Sequence, residues 1–362
     1  MTDIAYRVDG DGVATIVWDM QGRTMNVLNA ESIAAYEAAV GRALDDPAVK
    51  GAIVTSGKPS FIAGADLPWL EQLTQRAADE TELSHAKRLY DRLIRLPLLF
   101  RRIEKSAKPF VAAINGTALG GGFEVCLACH WRIAADDPRL QLGQPEAKVG
   151  LSPGWGGITR FVRLLGAMKA LPLLLEGRSL PPARALELTL IDAVAPAGEL
   201  LARAKAWILA ATPEQLVKPW DKPGFVPPGP DPRLHRDGGQ WSAAITQLHK
   251  RTKGNYPALQ AIEEAVYDTW LPPMDTAIKI ETRYLVKLLL GANARAMIRT
   301  NFVNMQRANK LARRPAQVPV RAIKKIGVLG AGLMGAGIAQ VAAKAGIAVV
   351  LIDRDQATAD KG

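Results

Sequence analysis

The sequence predicts an α/β fold followed by a second, smaller α/β unit. Over the first 195 or so residues, short apolar strands alternate with segments of helical periodicity. The stretch 241–311 is helical in pattern throughout, and a new strand–helix–strand pattern begins at residue 326. Alternating strands and helices are typical of layered α/β folds, and 362 residues are enough for two domains.

The elements of the first region can be assigned from apolar periodicity. The predicted strands are short apolar runs at 15–18, 51–55, 109–114, 131–135 and 140–143. The stretches 32–44 and 81–102 have the apolar spacing of helices. Pro97 lies within the second of these, and we expect it to interrupt the helix.

The sequence pattern of the chain changes after residue 194. A proline-rich stretch at 213–233 is typical of a connector, and a second proline-containing linker occupies 313–319. We therefore predict three parts: a first domain at 1–195, a proline-rich connector and helical linker region at 196–320, and an incomplete Rossmann βαβ unit at 321–362.

The net charge of +11 favours an anionic partner. No long Lys/Arg block is present, so we expect a phosphorylated ligand and no nucleic acid. The N-terminus lacks the basic and apolar regions of a secretory signal, and the apolar stretch 109–129 contains Asn115 and Glu124. These features predict a cytoplasmic protein without stable membrane insertion.

The segment Cys126-Leu-Ala-Cys129-His130 has the C-x-x-C-H pattern of covalent haem attachment. A cytoplasmic chain is not exposed to haem attachment, and no second cysteine pair is available to complete a zinc site. We therefore predict that the cysteines pack in the core and that the protein has no metal site.

The glycines that precede this pattern indicate a different chemistry. Gly120 to Gly122 lead into a helix, where free backbone N–H groups can stabilise an oxyanion. Glu124 lies in the first turn of that helix, and a second carboxylate, Glu146, follows Pro145. A glutamate near a helix start is usually only a favourable partner of the helix dipole, so each feature alone is weak.

The combination is specific. Four motifs occur in order: Ile62-Ala-Gly-Ala-Asp-Leu67, Asn115-Gly-Thr-Ala-Leu-Gly-Gly-Gly-Phe-Glu124, Gly143-Gln-Pro-Glu146 and Gly150-Leu-Ser-Pro-Gly-Trp-Gly-Gly157. Together they resemble the enoyl-CoA hydratase (crotonase) family over roughly residues 10–195. The resemblance implies a crotonase-type ββα spiral core and a fatty-acid β-oxidation enzyme.

The resemblance also implies the roles of individual residues. Ala65 and Gly121 match the oxyanion-hole residues, whose N–H groups would hold an acyl-CoA thioester carbonyl. Glu124 and Glu146 match the catalytic pair, with Glu124 the closer partner of the attacking water and Glu146 the donor of the α-proton. The neighbouring positions of the first loop would line the CoA site: Ala63, Gly64, Asp66 and Leu67.

The implied reaction is syn hydration of trans-2-enoyl-CoA to 3-hydroxyacyl-CoA, without a cofactor. Two glutamates favour hydration over isomerisation, since related isomerases commonly lack one of the pair. An enoyl-CoA isomerase and a non-catalytic CoA-binding scaffold that docks a thiolase remain the alternatives. The long spacing between the glutamates and the position of His130 resemble multifunctional α-subunits, which implies a thiolase β-subunit as a possible partner. The resemblance to stand-alone crotonases implies a homo-oligomer as the other possibility.

A second motif lies near the C-terminal end. Gly330-Ala-Gly-Leu-Met-Gly335 follows a predicted strand at 326–329 and precedes a predicted helix at 336–345. Asp353 ends the next strand, at 347–352. This order is typical of dinucleotide binding, with the pyrophosphate at Gly330, Gly332 and Gly335 and the ribose at Asp353, which favours NAD.

This motif resembles the start of a 3-hydroxyacyl-CoA dehydrogenase, so the chain is interpreted as a bifunctional enzyme truncated within its NAD-binding domain. The dehydrogenase histidine would lie beyond residue 362.

We predict that the 362-residue chain does not reduce NAD with a 3-hydroxyacyl-CoA, measured by absorbance at the NADH band. Turnover above the enzyme-free blank would contradict this prediction.

We also expect residues 321–362 to be weakly stabilised, since one βαβ unit cannot bury both sheet faces.

Overall fold

The computed structural model describes residues 3–315, 317–319 and 321–362, and the backbone alone at 235–238. The chain forms two compact units, residues 1–306 and 307–362. The predicted domain limits Met1 and Val320 lie outside the described residues. These two units do not correspond to the three predicted domains, and the three-domain division stays a prediction.

The strands are β1 Ile4–Val8, β2 Val13–Trp18, β3 Gly51–Ser56, β4 Phe110–Ile114, β5 Ala118–Leu119, β6 Trp131–Ala135, β7 Leu142–Gly143, β8 Ser179–Leu180, β9 Ala193–Ala195, β10 Lys325–Leu329 and β11 Ala348–Ile352.

The helices are α1 Ala30–Asp45, α2 Leu67–Leu73, α3 Glu82–Leu93, α4 Arg95–Glu104, α5 Gly121–Ala128, α6 Gly157–Leu165, α7 Ala167–Leu175, α8 Pro182–Glu187, α9 Leu200–Ala210, α10 Pro213–Leu216, α11 His235–Thr252, α12 Pro257–Asp268, α13 Met274–Leu290, α14 Ala292–Ile298, α15 Met305–Asn309, α16 Leu333–Lys344 and α17 Gln356–Lys361. Short 3₁₀ turns lie at Glu146–Val149, Ala197–Glu199 and Pro219–Asp221, and a π-helical turn at Arg299–Asn304. Within the described part of the chain, no helix is long and apolar enough to span a bilayer.

The first unit is built on two sheets. The larger has the order β1-β2-β3-β4-β6-β9, with β1 antiparallel to β2 and every other pair parallel. Every residue of β3 and β4 is buried, as expected for central parallel strands covered on both faces. The smaller sheet, β5-β7-β8, joins the segments that carry the glycines and Glu146.

The helix predicted at 81–102 is interrupted, but at Ile94 and not at Pro97. Pro97 lies in the first turn of α4, where a missing N–H costs no intrahelical hydrogen bond. The break therefore falls just before the turn that tolerates proline. Strand β1, which pairs with β2, was not predicted, and its burial is mostly partial or absent.

The helical region packs against the first α/β layer rather than only linking two domains. Helix α12 contacts α7 and α6, while α13 contacts α6 and α3. Even the proline-rich connector is anchored, since Lys218 and Trp220 are buried. Apolar residues of α12 and α13 belong to the same hydrophobic core as the large sheet, which explains why the first compact unit extends to residue 306.

The second unit contains the predicted βαβ pattern, with β10 and β11 paired in parallel. Helix α16 begins three residues before the prediction because Gly335 is accommodated inside it. Large apolar side chains of its strands and helix are exposed to solvent. Leu329 has 83% of its surface exposed, and Leu333 has 93%. This unit therefore buries little apolar surface of its own.

We predict that the amides of β10 and β11 exchange with deuterium much faster than those of β3 and β4. Opening a strand pair with exposed apolar faces costs less free energy than opening fully buried strands. Hydrogen-exchange mass spectrometry of the intact chain measures both pairs at once, and β1–β2 serves as the comparison for an edge position of the large sheet. Equal protection of both pairs would contradict the prediction.

Candidate active site

The loop that contains Ala65 is held by a neighbouring segment of backbone. Leu28 N–H donates to the Gly64 carbonyl at 2.9 Å, and Asp66 N–H donates to the Leu28 carbonyl at 2.9 Å. The buried Asn26 supports this arrangement, since its carbonyl accepts from Ala63 N–H at 2.9 Å. The Ala65 N–H, between these bonds, has no acceptor among the described residues, so it is free to bind a ligand oxygen.

Gly121 presents a second free amide beside the first. It is the first residue of α5, and its N–H has no acceptor in the described part of the chain. Gly120, which precedes it, adopts a φ of +54° and donates its N–H to the Gly143 carbonyl at 2.9 Å. A Cβ on Gly120 would lie 3.8 Å from the Gly64 Cα, so the loops of Ala65 and Gly121 adjoin.

Glu124 is buried in the first turn of α5, with 1% of its surface exposed. Its Oε1 accepts hydrogen bonds from Trp155 N–H at 2.9 Å and Gly157 N–H at 2.7 Å. Burial raises the pKa of Glu124 well above its usual value, the charges of Glu146 and Glu281 raise it further, and the two N–H bonds oppose the rise. Its Oε2 accepts no hydrogen bond from the described residues.

Glu146 begins the 3₁₀ turn after Pro145 and is partly buried. A Cβ on Gly120 would lie 2.5 Å from its Oε1, so the carboxylate lies directly against the glycine that precedes Gly121. Burial raises the pKa of Glu146 to about 8, and the charge of Glu281 contributes to the rise. Burial therefore favours the protonated form of Glu146.

Gln144 contacts Glu146 and lies near Glu124. With its amide nitrogen facing Glu146, it donates to both carboxylate oxygens at 3.2 Å. A Cβ on Gly157 would lie 2.7 Å from Glu124 Oε1 and 2.8 Å from the Gln144 amide. Glu124, Gln144 and Glu146 thus form one polar cluster, which the predicted pairing of the two glutamates requires. The motif around Gln144 was recognised from sequence, but this contact was not.

A third carboxylate near this cluster was not predicted. Glu281 lies on α13, is completely buried, and accepts hydrogen bonds at both oxygens. Its Oε1 accepts from Gly156 N–H at 2.9 Å and Ile158 N–H at 3.2 Å. Its Oε2 accepts from Thr159, with the N–H at 2.8 Å and the hydroxyl at 2.6 Å. A glutamate on a long helix carries no local sign of this contact.

The segment between the two carboxylates is also fixed through its carbonyls. Arg160 Nη1 donates to the carbonyls of Trp155 at 3.3 Å and Gly156 at 3.2 Å. Thr282 Oγ1 donates to the Gly154 carbonyl at 3.0 Å. Gly156 has a φ of +100°, and a Cβ there would overlap the Arg160 guanidinium, so this position requires glycine.

Trp155 forms one wall beside the free amide of Gly121. A Cβ on Gly121 would overlap the Trp155 ring and lie 2.5 Å from Leu28 Cδ1. The ring is 4% exposed, and its Nε1 has no partner among the described residues. Only glycine therefore fits at Gly121. The sequence motif placed Trp155 at a helix entry without assigning it this contact.

The loop expected to line a CoA site is partly exposed. Ala63 and Leu67 are half-buried, whereas Gly64 and Asp66 are buried. Asp66 precedes α2 and forms an ion pair with Arg23 at 2.8 Å. Asp66 is thus a structural anchor of the loop, and the contact of these four residues with CoA stays a prediction.

The C-x-x-C-H segment is part of the core, as predicted for packing. Cys126 and Cys129 are buried free thiols, whose Sγ atoms donate to the carbonyls of Gly122 at 3.3 Å and Val125 at 3.5 Å. His130 Nδ1 accepts from Phe110 N–H at 3.0 Å, and burial lowers the pKa of His130 to about 4. The segment ends the helix that begins at Gly121.

The second predicted site has the local geometry of a pyrophosphate cradle. Gly330 has a φ of +101°, and Gly335 approaches its carbonyl so closely that a Cβ would overlap it. Gly332 is the N-cap of α16 and is open to solvent, so a ligand can reach the N–H groups at the helix start. Asp353 Oδ2 accepts from Ala331 N–H at 2.6 Å, which holds this carboxylate beside the glycines. These residues fit NAD.

The sequence comparisons find one match in each of the two regions that carry these sites. Residues 10–218 match the family described as enoyl-CoA hydratase/isomerase, and residues 325–362 match the NAD-binding domain of 3-hydroxyacyl-CoA dehydrogenase. Similar proteins named fatty acid oxidation complex subunit alpha occur in Shewanella putrefaciens, at 34% identity, and Shewanella frigidimarina, at 36%, each over 332 residues. The matches cover 91% of this chain and 45% of each relative, so the chain spans just under half their length.

Solved structures share the fold. Enoyl-CoA hydratase from Bacillus anthracis is 26% identical, with a TM-score of 0.52, and the match covers 75% of this chain and all of the other. Human mitochondrial delta3-delta2-enoyl-CoA isomerase is 20% identical, with a TM-score of 0.58, and the match covers 85% of this chain and 99% of the other. The isomerase likeness concerns the fold alone. The predicted crotonase-type fold is confirmed.

We predict that Gly156→Ala lowers the free energy of unfolding by about 1–3 kcal/mol, because alanine at this φ is strained. Its Cβ would also displace the Arg160 guanidinium. Urea denaturation followed by tryptophan fluorescence measures the first unit, since the chain's tryptophans lie between Trp18 and Trp270. Gly198→Ala, where a Cβ meets nothing within 4 Å, is the control. Equal stability of both variants would contradict the prediction.

Proposed function

This chain belongs to the enoyl-CoA hydratase/isomerase family, and on that basis we propose that it adds water to trans-2-enoyl-CoA thioesters to form 3-hydroxyacyl-CoA. The observation that carries the proposal is the polar cluster of Glu124 and Glu146 against the loop of the free Gly121 amide. Two carboxylates are needed for a reaction that both removes a proton and supplies one.

The two free amides would bind the thioester carbonyl oxygen. As water attacks the β-carbon, negative charge moves through the α-carbon to this oxygen and forms an enolate. The loops of Ala65 and Gly121 adjoin, and Gly121 also contributes the positive end of the α5 dipole. Donors that are fixed before the reaction stabilise this charge without reorganisation.

The two glutamates would divide the proton transfers. Burial raises the pKa of Glu124, its two N–H donors on Oε1 oppose that rise, and its ionised form has Oε2 free to accept the proton of the attacking water. Glu146, with a pKa of about 8, would give its proton to the α-carbon as the enolate collapses. The C=C π bond, one O–H bond of water and the O–H bond of Glu146 would break, while a C–O bond, a C–H bond and an O–H bond on Glu124 would form. A proton would then pass from Glu124 back to Glu146 before the next turnover, and no cofactor takes part.

The relatives' names place them in fatty acid oxidation, and we propose fatty-acid β-oxidation as the setting of this reaction. An acyl-CoA substrate suits the net charge of +11. We further propose that the loop of Ala63, Gly64, Asp66 and Leu67 lines the CoA site. A thiolase β-subunit or a second copy of the chain as partner, a cytoplasmic location, and the absence of metal and nucleic acid stay predictions.

The second unit supports a further proposal for a longer form of the protein. Gly330, Gly332 and Gly335 would hold the pyrophosphate of NAD, and Asp353 would accept the adenosine ribose hydroxyls. NAD supplies a hydride acceptor when bound. In that form the 3-hydroxyacyl-CoA made at the first site would be the substrate of the second.

We predict that Glu124→Gln and Glu146→Gln each lower kcat for hydration of a short trans-2-enoyl-CoA by about a hundredfold or more, because each variant lacks one proton-transfer group. Loss of the enoyl thioester absorbance measures the rate. Glu176→Gln, which removes an exposed carboxylate paired with Arg178, is the control. Unchanged rates in both site variants would contradict the two-glutamate mechanism, whereas an isomerase would retain isomerisation in one of them.

We also predict an alkaline limb in the pH profile. Glu146 loses its proton as the pH rises through about 8, so kcat/KM for hydration falls above that pH. The Glu146→Gln variant should lack this limb in its residual activity. A profile that stays flat to pH 9.5 in the wild type, after subtraction of thioester hydrolysis, would contradict the assigned role.

A further inference from the structure

Five consecutive backbone amides at the start of α6 are shared between two buried carboxylates from different parts of the chain. The N–H groups of Trp155 and Gly157 donate to Glu124, and those of Gly156, Ile158 and Thr159 donate to Glu281. The donors alternate between the two carboxylates from 155 to 158. The position of one carboxylate therefore depends on the other.

Other residues of α13 also contact the segment that binds Glu281. Thr282, the next residue of α13, donates to the Gly154 carbonyl at 3.0 Å. One turn further on, Leu285 packs so closely on Gly154 that a Cβ there would overlap it. Helix α13 thus contacts residues 154–159, which lead into α6, through Glu281, Thr282 and Leu285.

The charge of Glu281 also reaches the catalytic pair. Its charge interacts with Arg160 and Arg163 of α6, and it raises the pKa of Glu124 and of Glu146. Burial raises the pKa of Glu281, while its bonds to Thr159 and Gly156 and the charge of Arg160 oppose the rise. Every hydrogen-bond partner of its oxygens is a donor, and this arrangement favours the anion.

We propose that Glu281 is a positioning residue for the hydration: from the helical region, it seats residues 155–159 so that Trp155 and Gly157 hold Glu124 in its reactive orientation. The inference rests on the proposed function and extends it beyond the α/β region that carries the sequence motifs. Glu281 does not touch the substrate. It acts through the backbone that it shares with Glu124.

The test compares Glu281→Gln with the wild type. The amide NH₂ of glutamine would oppose a backbone N–H, so the segment shifts and Glu124 loses part of its geometry. We expect kcat for hydration to fall about tenfold or more, with KM changed by less than about threefold. Loss of the negative charge should also move the pH profile of kcat/KM to lower pH, by about one unit.

Two further variants separate charge from packing. Glu264→Gln removes a partly exposed carboxylate from α12, near Lys287, and should leave kcat and the pH profile unchanged. Thr159→Val removes only the hydroxyl that donates to Glu281 Oε2. It should lower kcat severalfold without losing the charge, so its pH profile should remain in place. If Glu281→Gln does not fold, a Thr159→Val rate equal to wild type overturns the proposal.

A measurement independent of turnover distinguishes this proposal from the proposed function. Carbon-13 NMR of labelled glutamate side chains reports the pKa of Glu124 in the wild type and in Glu281→Gln. A lower pKa in the variant supports the coupling, even in a protein without hydratase activity, which would sink the proposed function alone. An unchanged pKa of Glu124 together with an unchanged kcat would overturn the role of Glu281.

Discussion

The start of α6 is the point on which both the fold and the site depend. A buried carboxylate loses several kcal/mol of hydration, and two of them lie here within the core. Hydrogen bonds to charged groups are worth about 1.5–3 kcal/mol each, and the six at Glu124 and Glu281 offset that loss. The positive end of α6 adds to the stabilisation. The donors of this helix end therefore stabilise both buried carboxylates.

This constraint explains why the helical region belongs to the first compact unit. Glu281 and Thr282 from α13 bond to the entry of α6, and α12 and α13 share the apolar core of the sheet. Behind them, Arg160 links the entry to Glu104 at 2.8 Å, and Arg101 joins Glu104 to Asp221 of the connector. A region that reads as a linker in composition is therefore part of the support of the site.

The sequence predicted what is encoded locally. The glycines before α5, Glu124 in its first turn, and β6 at its observed limits all follow from neighbouring residues. Glu281 could not be predicted, because its partners are more than a hundred positions away and a glutamate on a helix usually faces solvent. Gln144 was visible inside a motif, but its contact with Glu146 depends on how the small sheet folds.

The three carboxylates differ mainly in how many donors surround them. Glu281 has four and no free oxygen, so these donors oppose the rise in its pKa that burial causes. Glu124 has two on one oxygen and leaves the other open, which suits a base that accepts a proton and returns it. At Glu146 the amide of Gln144 and the residue's own backbone N–H are the donors, and burial outweighs them and raises the pKa to about 8. Burial raises the pKa of all three glutamates, and the donors that the fold directs at Glu124 and Glu281 oppose that rise.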